Sequence, residues 1–241
     1  MLARPQFWAP AASQRHWLRA RLQAWGRDRL RDFPWRRTRD PYALLVAEFL
    51  LQKTQAPTVV PYYRAMLARY PTLAALAAAS ETSVTELLAP LGLRGRARRL
   101  HQAAGQLLRD PSYGSRVPRQ EAQLRQLPGV GPYVARAVLT NAFEQPVAVL
   151  DANVARLLER FFGICGHRIK SRDRYLWELA ERLTPAANAR VWNLTLIDFG
   201  ALVCTPQKPR CDCCPLRRCC HYARQQAALP QPSDGASRKR A

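Results

Sequence analysis

The stretch Leu124-Arg-Gln-Leu-Pro-Gly-Val-Gly-Pro-Tyr-Val-Ala-Arg-Ala-Val138 decides how this chain is read. A helix running into Leu127-Pro-Gly-Val-Gly131 is forced into a tight turn, because Pro128 breaks the helical ladder and Gly129 and Gly131 let the backbone reverse without a Cβ clash. A second helix begins at Pro132 or Tyr133, where a missing proline N–H costs nothing. The hairpin presents free N–H groups at a helix N-terminus, a ready phosphate clamp, and makes Leu127, Gly129, Val130 and Gly131 candidate contacts for a nucleic-acid backbone. An ordinary tight helix–helix turn is the competing reading.

Outward from the hairpin, nearly every apolar segment has helical rather than strand period. Ser13 to Leu30 places Trp17, Leu18, Leu22 and Trp25 on one face. Further helices are expected over Tyr42 to Leu51, Val59 to Tyr70, Leu73 to Ala79, Ser83 to Leu88, Ala97 to Leu108, Glu121 to Gln126, Tyr133 to Phe143, Val154 to Phe162, Arg172 to Leu183 and Arg190 to Val203. The breaks fall at Pro41, Pro57, Pro71, Pro90 with Gly92, Pro118, Pro146, Gly163 and Pro185. The expected fold class is all-α. Residues 225–241 are polar, carry Pro, Ser and Gly, end in Arg238, Lys239 and Arg240, and read as a disordered basic tail.

Charge points to the partner. The 241 residues hold 38 Lys+Arg against 17 Asp+Glu, a formal charge of +21, and only Lys53, Lys170, Lys208 and Lys239 are lysines. Arginine forks phosphate bidentately and stacks on bases, so a polyanion, most simply nucleic acid, is the expected partner. A bias toward arginine codons accounts for Arg over Lys but not for the shortage of acids. No apolar run reaches the roughly 18 residues of a membrane span, and the N-terminal MLARPQFWAP lacks a signal-peptide core. The expectation is a soluble, monomeric, cytoplasmic protein associated with the nucleoid and without membrane contact.

Near the C-terminus, Cys204, Cys211, Cys214 and Cys220 form a C-x6-C-x2-C-x5-C run, while Cys165, Cys213 and Cys219 fall outside it. Seven cysteines, an odd count, argue against a purely disulfide framework and fit a reducing compartment. Zinc usually takes paired CxxC knuckles or histidine, whereas iron–sulfur clusters accept uneven intervals, so the spacing favours a [4Fe–4S] cluster over zinc. Lys208 and Arg210 lie between the ligands, as do Arg217 and Arg218, and the cluster reads as a staple shaping a basic DNA-contacting loop.

LPGVGPYVARAV, followed by VAVLDANVARLLERFFG and then by the cysteine run, resembles the helix-hairpin-helix DNA glycosylases with an iron–sulfur cluster, the superfamily of endonuclease III and the mismatch adenine glycosylases. The likeness spans roughly Phe33 to Cys220, and three ordered motifs are far more specific than one. It implies two helical lobes with a DNA cleft between them. A six-helix barrel would cover residues 33–145 with the hairpin at 124–138, and a cluster domain would combine residues 12–32 with 146–222. The partner implied is double-stranded DNA containing a mismatched or damaged base, gripped by the hairpin beside an extruded nucleotide. The resemblance makes Asp151 catalytic.

The chemistry of the residues agrees. Cleaving an N-glycosidic bond builds positive charge on the sugar, and a carboxylate held beneath the ring stabilises it and orients water. Asp151 suits that role and also a helix N-cap before Ala152, which would immobilise it. Glu48 lies inside the apolar run YALLVAEFLL; lining a base pocket, it would have a raised pKa and act as an acid, the alternative being a structural glutamate tied to an arginine.

Endonuclease III-like enzymes carry a Schiff-base lysine where this chain has Tyr133, so hydrolysis alone is expected, with AP lyase activity weak or absent. Phe33-Pro-Trp-Arg36 and the segment Ala47 to Gln55 resemble adenine glycosylases that act at A opposite G or 8-oxoguanine. Those enzymes typically have serine at Tyr133 and glutamine at Leu194, and commonly a further C-terminal domain, for which no length follows Cys220 here. Tyr133 and Leu194 match instead the thymine/uracil mismatch glycosylases, which excise T or U opposite G. Leu194 offers an apolar wall and Tyr133 a stacking face with a polar tip. Gln52 resembles the residue filling the gap left by the flipped base, and Leu93 is a candidate wedge. A non-catalytic DNA-binding module, needing neither Asp151 nor Glu48, is the alternative from another class.

Overall fold

The computed structural model describes residues 11–92, 94–167 and 169–228, which form helices and no strand. In chain order the helices are α1 (Ala12–Gly26), α2 (Pro41–Leu51), α3 (Ala56–Arg69), α4 (Leu73–Ala78), α5 (Glu81–Leu88), α6 (Arg94–Arg109), α7 (Glu121–Leu124), α8 (Pro132–Phe143), α9 (Ala152–Phe162), α10 (Arg174–Leu183), α11 (Ala189–Leu202) and α12 (His221–Ala228). Local chemistry sets their starts. Asp40, Thr72, Ser80, Asp151 and Asp173 each accept a first-turn N–H at an N-cap, and prolines occupy the first turns of α2, α3 and α8.

Three expectations are corrected. Helix α1 stops at Gly26 rather than Leu30, and α3 begins at Ala56 because Pro57 opens that helix instead of breaking it. Gln225 to Ala228, assigned to the tail, are the last turn of α12. Its eight residues, HYARQQAA, bury only Ala223, so the sequence shows no apolar face there. The remainder of the expected tail, 229–241, and the candidate wedge Leu93 lie outside the described residues. No helix of the described residues is long and apolar enough to cross a membrane.

The buried apolar side chains form two clusters. One runs from Phe33 to Leu139 and takes residues from α2 to α8, with Leu44, Phe49, Met66 and Leu100 at its centre. The other joins Leu18 and Leu22 of α1 to residues 148–216, with Phe161, Trp192 and Phe199 fully buried. Trp17 stacks on Phe161, and Trp25 meets Phe199 edge-on at 5.1 Å. Arg19 of α1 donates to Leu183 O and Arg182 O, satisfying carbonyls at the end of α10. The N-terminal helix thus packs on the C-terminal half of the chain.

Polar ties join the two halves. Asp198 of α11, fully buried, accepts two bonds from the Arg36 guanidinium at 2.6 and 2.8 Å and two from Arg31, through its backbone N–H at 2.8 Å and its Nε at 2.7 Å. Burial pushes the Asp198 carboxyl up, but the two arginines outweigh it and hold it below the usual range. Arg136 of α8 pairs with Glu121 of α7 and with Glu181 of α10, its guanidinium over the Trp177 ring. Asn193 of α11 accepts from Val149 N–H and donates to Val147 O and Thr140 Oγ1, fastening the extended segment between α8 and α9.

A buried carboxylate that balances two guanidinium groups leaves them uncompensated when it is removed. Asp198→Asn is expected to lower unfolding free energy by about 3–5 kcal/mol, measured by urea denaturation at neutral pH. A loss below about 1 kcal/mol, the range of an exposed pair, would show that the tie does not hold the halves together.

Candidate active site

Where the two halves meet, a cavity of about 830 Å³ is lined by Phe33, Arg36, Glu48, Gln52, Tyr133, Asp151 and Leu194 among others. Glu48, Gln52, Tyr133, Asp151 and Leu194, picked from separate parts of the sequence, therefore share one space. Each is set there by its element. Glu48 faces inward from the middle of α2, Gln52 caps that helix, and Tyr133, Ala137 and Asn141 lie four apart along one side of α8. Leu194, Ile197 and Ala201 line the opposite wall from α11.

Asp151 is the N-cap of α9: its Oδ1 accepts from Val154 N–H at 2.7 Å and its Oδ2 from Asn153 Nδ2 at 2.7 Å. A hydrogen-bonded chain backs it up, since Asn153 Oδ1 accepts from Arg156, which also donates to Gly200 O and Cys204 O. The packing there is close. A Cβ on Gly200 would stand 2.7 Å from Asn153 Cβ, so only glycine lets α11 approach the start of α9. Burial raises the Asp151 carboxyl, opposed by the bonds from Val154 and Asn153 and by the Arg156 charge. Every bond to this carboxyl is a donated N–H, which suits the ionised form.

Glu48 is 6% exposed, and its Oε2 has no hydrogen-bond partner. Burial raises its pKa to about 8, the Asp151 charge adds to the shift, and Arg36 and the Tyr133 hydroxyl oppose it. Two carboxyls thus share the cavity in different surroundings: Glu48, raised to about 8, is protonated at neutral pH, while the capping N–H groups and the Arg156 charge favour the anion of Asp151 against its burial. Tyr133 is hydrogen-bonded to Glu48, and burial lifts its pKa well above the ordinary phenol value, so it stays neutral. The arginine tie considered for Glu48 belongs to Asp198, which occupies a like apolar run, TLIDFGAL. Applied to that run, the same reasoning finds Asp198.

The hairpin turn is built by Gly129 at φ +83°, where a Cβ would press on Phe49 and Arg99. Gly131 has ordinary extended backbone and open space where its Cβ would be, so the fold itself does not require glycine there. Leu127 and Val130 are buried in the first apolar cluster, and their backbone N–H groups donate within the hairpin, to Leu124 O and Leu127 O. Gln52 Nε2 donates to Gly129 O at 3.3 Å, linking the cavity to the turn.

The loop between Cys204 and Cys211 is braced by Arg160, which donates to Thr205 O and Pro206 O, and by the bond from Arg210 N–H to Val203 O. Lys208 and Arg210 point to solvent, and Pro206 reaches the cavity wall. Cys204, Cys211, Cys214 and Cys220 line one pocket floored by Leu157, Phe199, Val203 and Leu216, whereas Cys213 and Cys219 are not part of it. Arg160 donates to Cys204 Sγ. Burial raises the thiols of Cys211, Cys214 and Cys220, that of Cys214 to about 12. No three His, Cys, Asp or Glu side chains of the described residues gather into a metal-ion site. The donor set is all-thiol, four cysteines around one apolar-walled pocket, and fits a thiolate-held metal centre.

The chain matches the family described as HhH-GPD superfamily base excision DNA repair protein over residues 46–182. It is 39% identical over 202 residues to the thymine/uracil-DNA glycosylase of Methanothermobacter thermautotrophicus, covering 83% of this chain and 90% of that one. With the thymine-DNA glycosylase of Aeropyrum pernix the identity is 42% over 212 residues, covering 85% and 93%. The human adenine DNA glycosylase is 39% identical over 223 residues, but the matched part is 88% of this chain and 40% of that longer one. A solved thermostable thymine-DNA glycosylase superposes with a TM-score of 0.82 at 37% identity, covering 88% and 98%. Endonuclease III trapped on DNA shares the fold, with a TM-score of 0.78 at 23% identity over 91% and 100%. The chain belongs to the HhH-GPD superfamily of base excision DNA repair proteins, and the relatives that match most of its length are DNA glycosylases.

Proposed function

We propose that this protein is a monofunctional DNA glycosylase that extrudes thymine or uracil opposite guanine from duplex DNA and hydrolyses its N-glycosidic bond, leaving an abasic site. The observation that carries this reading is the convergence of Glu48, Tyr133, Asp151 and Leu194 on one cavity between the two halves. Asp151, immobilised by its cap bonds, faces the positive charge that develops on the sugar and orients the attacking water. Glu48, protonated at neutral pH, supplies a proton to the departing base. The Tyr133 ring and Leu194 form the walls against which a flat pyrimidine packs. Leu194 has no hydrogen-bonding group to read a purine edge, which is why the thymine reading is preferred to the adenine one.

DNA lies across the cavity mouth, held by the hairpin's backbone N–H groups at Gly129 and Gly131 and by Lys208 and Arg210 on the cysteine loop. Cys204, Cys211, Cys214 and Cys220 would hold a [4Fe–4S] cluster, which supplies no step of base release but ties the basic loop to α9, α11 and α12. Tyr133, a phenol, cannot form a Schiff base, so strand cleavage is not part of the reaction. Lys53 at the cavity rim is the amine that a borohydride trap would reveal if it were.

The reading is tested on duplexes containing U·G, T·G, A·G and A opposite 8-oxoguanine, scored after alkaline cleavage. Release is expected from U·G and T·G, with Asp151→Asn slowing it by roughly 10²-fold or more while the variant still binds duplex. Preference for the adenine strands would overturn it, and so would strand cleavage without alkali. The acid role has its own pH signature. Glu48 carries its proton below pH about 8, so single-turnover release should be level at neutral pH and fall as pH rises through about 8. Glu48→Gln should be slower and lack that falling limb; an unchanged profile would remove Glu48 from the chemistry. Purified protein is expected to contain iron and acid-labile sulfide in equal amounts, and Cys214→Ser to lose both together with steeply salt-dependent DNA affinity. Stoichiometric zinc instead would exclude the cluster.

A further inference from the structure

Folded proteins leave few buried polar atoms without partners, so a group of them in one place calls for an explanation. Among the described residues four such side-chain atoms occur, Glu48 Oε2, Asn141 Oδ1, Arg190 Nε and Trp192 Nε1, and the residues bearing the first three all line the central cavity. Glu48 is accounted for by the acid role. Asn141 Oδ1 and Arg190 Nε are used neither by the fold nor by the chemistry described so far.

These two residues flank the point where α8 meets α11. Asn141 is in the last turn of α8, next to Thr140, whose Oγ1 accepts from Asn193, and Arg190 lies one helical turn before Asn193 on α11. The Glu144 carboxylate, just beyond the end of α8, is near enough to act on the Arg190 guanidinium. Tyr133, which bonds Glu48 beside Asp151, is at the other end of α8, about 12 Å away at 1.5 Å per residue. Ala137 and Leu194 also line the cavity. A pyrimidine whose glycosidic nitrogen lies at the Asp151 end turns its opposite edge, N3–H and O4, toward Asn141 and Arg190. Arg190 is fixed in place, because its Nη2 donates to Arg36 O at 2.5 Å and Arg36 is pinned by Asp198.

We infer that Asn141 and Arg190 read the far edge of the extruded base, Asn141 accepting N3–H and Arg190 donating to O4, and so separate thymine and uracil from cytosine. This rests on the pyrimidine reading proposed above. An enzyme acting opposite guanine meets far more C·G than T·G, and the two pyrimidines differ at this edge. Cytosine offers a bare N3 and a 4-amino donor. The amide of Asn141 can turn over to meet N3, but a guanidinium has no acceptor, so Arg190 leaves the amino group unpaired. Sites built on such hydrogen bonds reject the mismatched edge strongly, because their own buried groups are then left without partners.

The test is a set of double-mutant cycles between protein and base, with single-turnover release measured from duplexes carrying thymine, 3-methylthymine or cytosine opposite guanine. Asn141→Leu should slow thymine release about 10- to 100-fold but leave 3-methylthymine, which has no N3–H, at its already low wild-type rate. Arg190→Met should slow thymine and narrow the thymine-to-cytosine ratio, and Arg190→Lys, which keeps a donor, should restore part of both. Asn141→Ser serves if the leucine variant does not fold. Equal slowing of thymine and 3-methylthymine by the Asn141 variants would overturn the inference. So would an Arg190→Met effect that lowers duplex affinity equally for every base, the mark of a phosphate anchor. The two readings fail separately: a wild-type protein that releases adenine but not thymine refutes the proposed function, whereas thymine release with additive cycles refutes only the edge reading.

Discussion

Asp198 is the constraint on which the site depends. A carboxylate with no exposed surface is tolerated only when its charge is met, and four N–H groups from Arg31 and Arg36 meet it. Those arginines belong to the segment that leads from α1 into the first apolar cluster, while Asp198 lies on α11, which helps build the second. One buried ion therefore sets where α11 stands relative to α2. Through Arg36 it also fixes Arg190 and places a positive charge near Glu48, so the latch that joins the halves tunes the space between them.

That space works by contrast. Its lining includes two carboxyls and a phenol, and also an amide and a guanidinium that each keep an unpartnered polar atom. Capping bonds favour the ionised form of Asp151 against its burial, while burial and the Asp151 charge keep Glu48 protonated. The cysteine pocket lies away from this chemistry, yet it is not isolated from it. Arg156 connects Asn153, which bonds Asp151, to the Cys204 carbonyl, and Arg160 braces the loop carrying Lys208 and Arg210.

Much of the fold was legible because helices announce themselves locally. The 3.6-residue period, capping side chains and first-turn prolines mark α2, α4, α8, α9 and α10 to within a few residues. Errors came where a local signal was weak or double-edged: Pro57 opens α3, and α12 has too little apolar face to stand out. Glu48 and Asp151 were legible for chemical reasons, a carboxyl in an apolar run and an aspartate at a helix start. Asp198 carries the first of those signals as well. Asn141 and Arg190 carried none, since an asparagine and an arginine on a helix are ordinary until the surface they face is known.

The sequence by itself determined the helices, the turn at Gly129, the set of four cysteines and the excess of positive charge, because each rests on residues close together in the chain or on composition. Only the tertiary structure decided that Leu127 and Val130 turn inward, that Asp198 rather than Glu48 is the carboxylate held by arginines, and that Glu48, Tyr133 and Asp151 face one another. Such relations join residues tens to more than a hundred positions apart, and burial, hydrogen-bond partners and pKa shifts arise from what is brought near, which no local pattern contains.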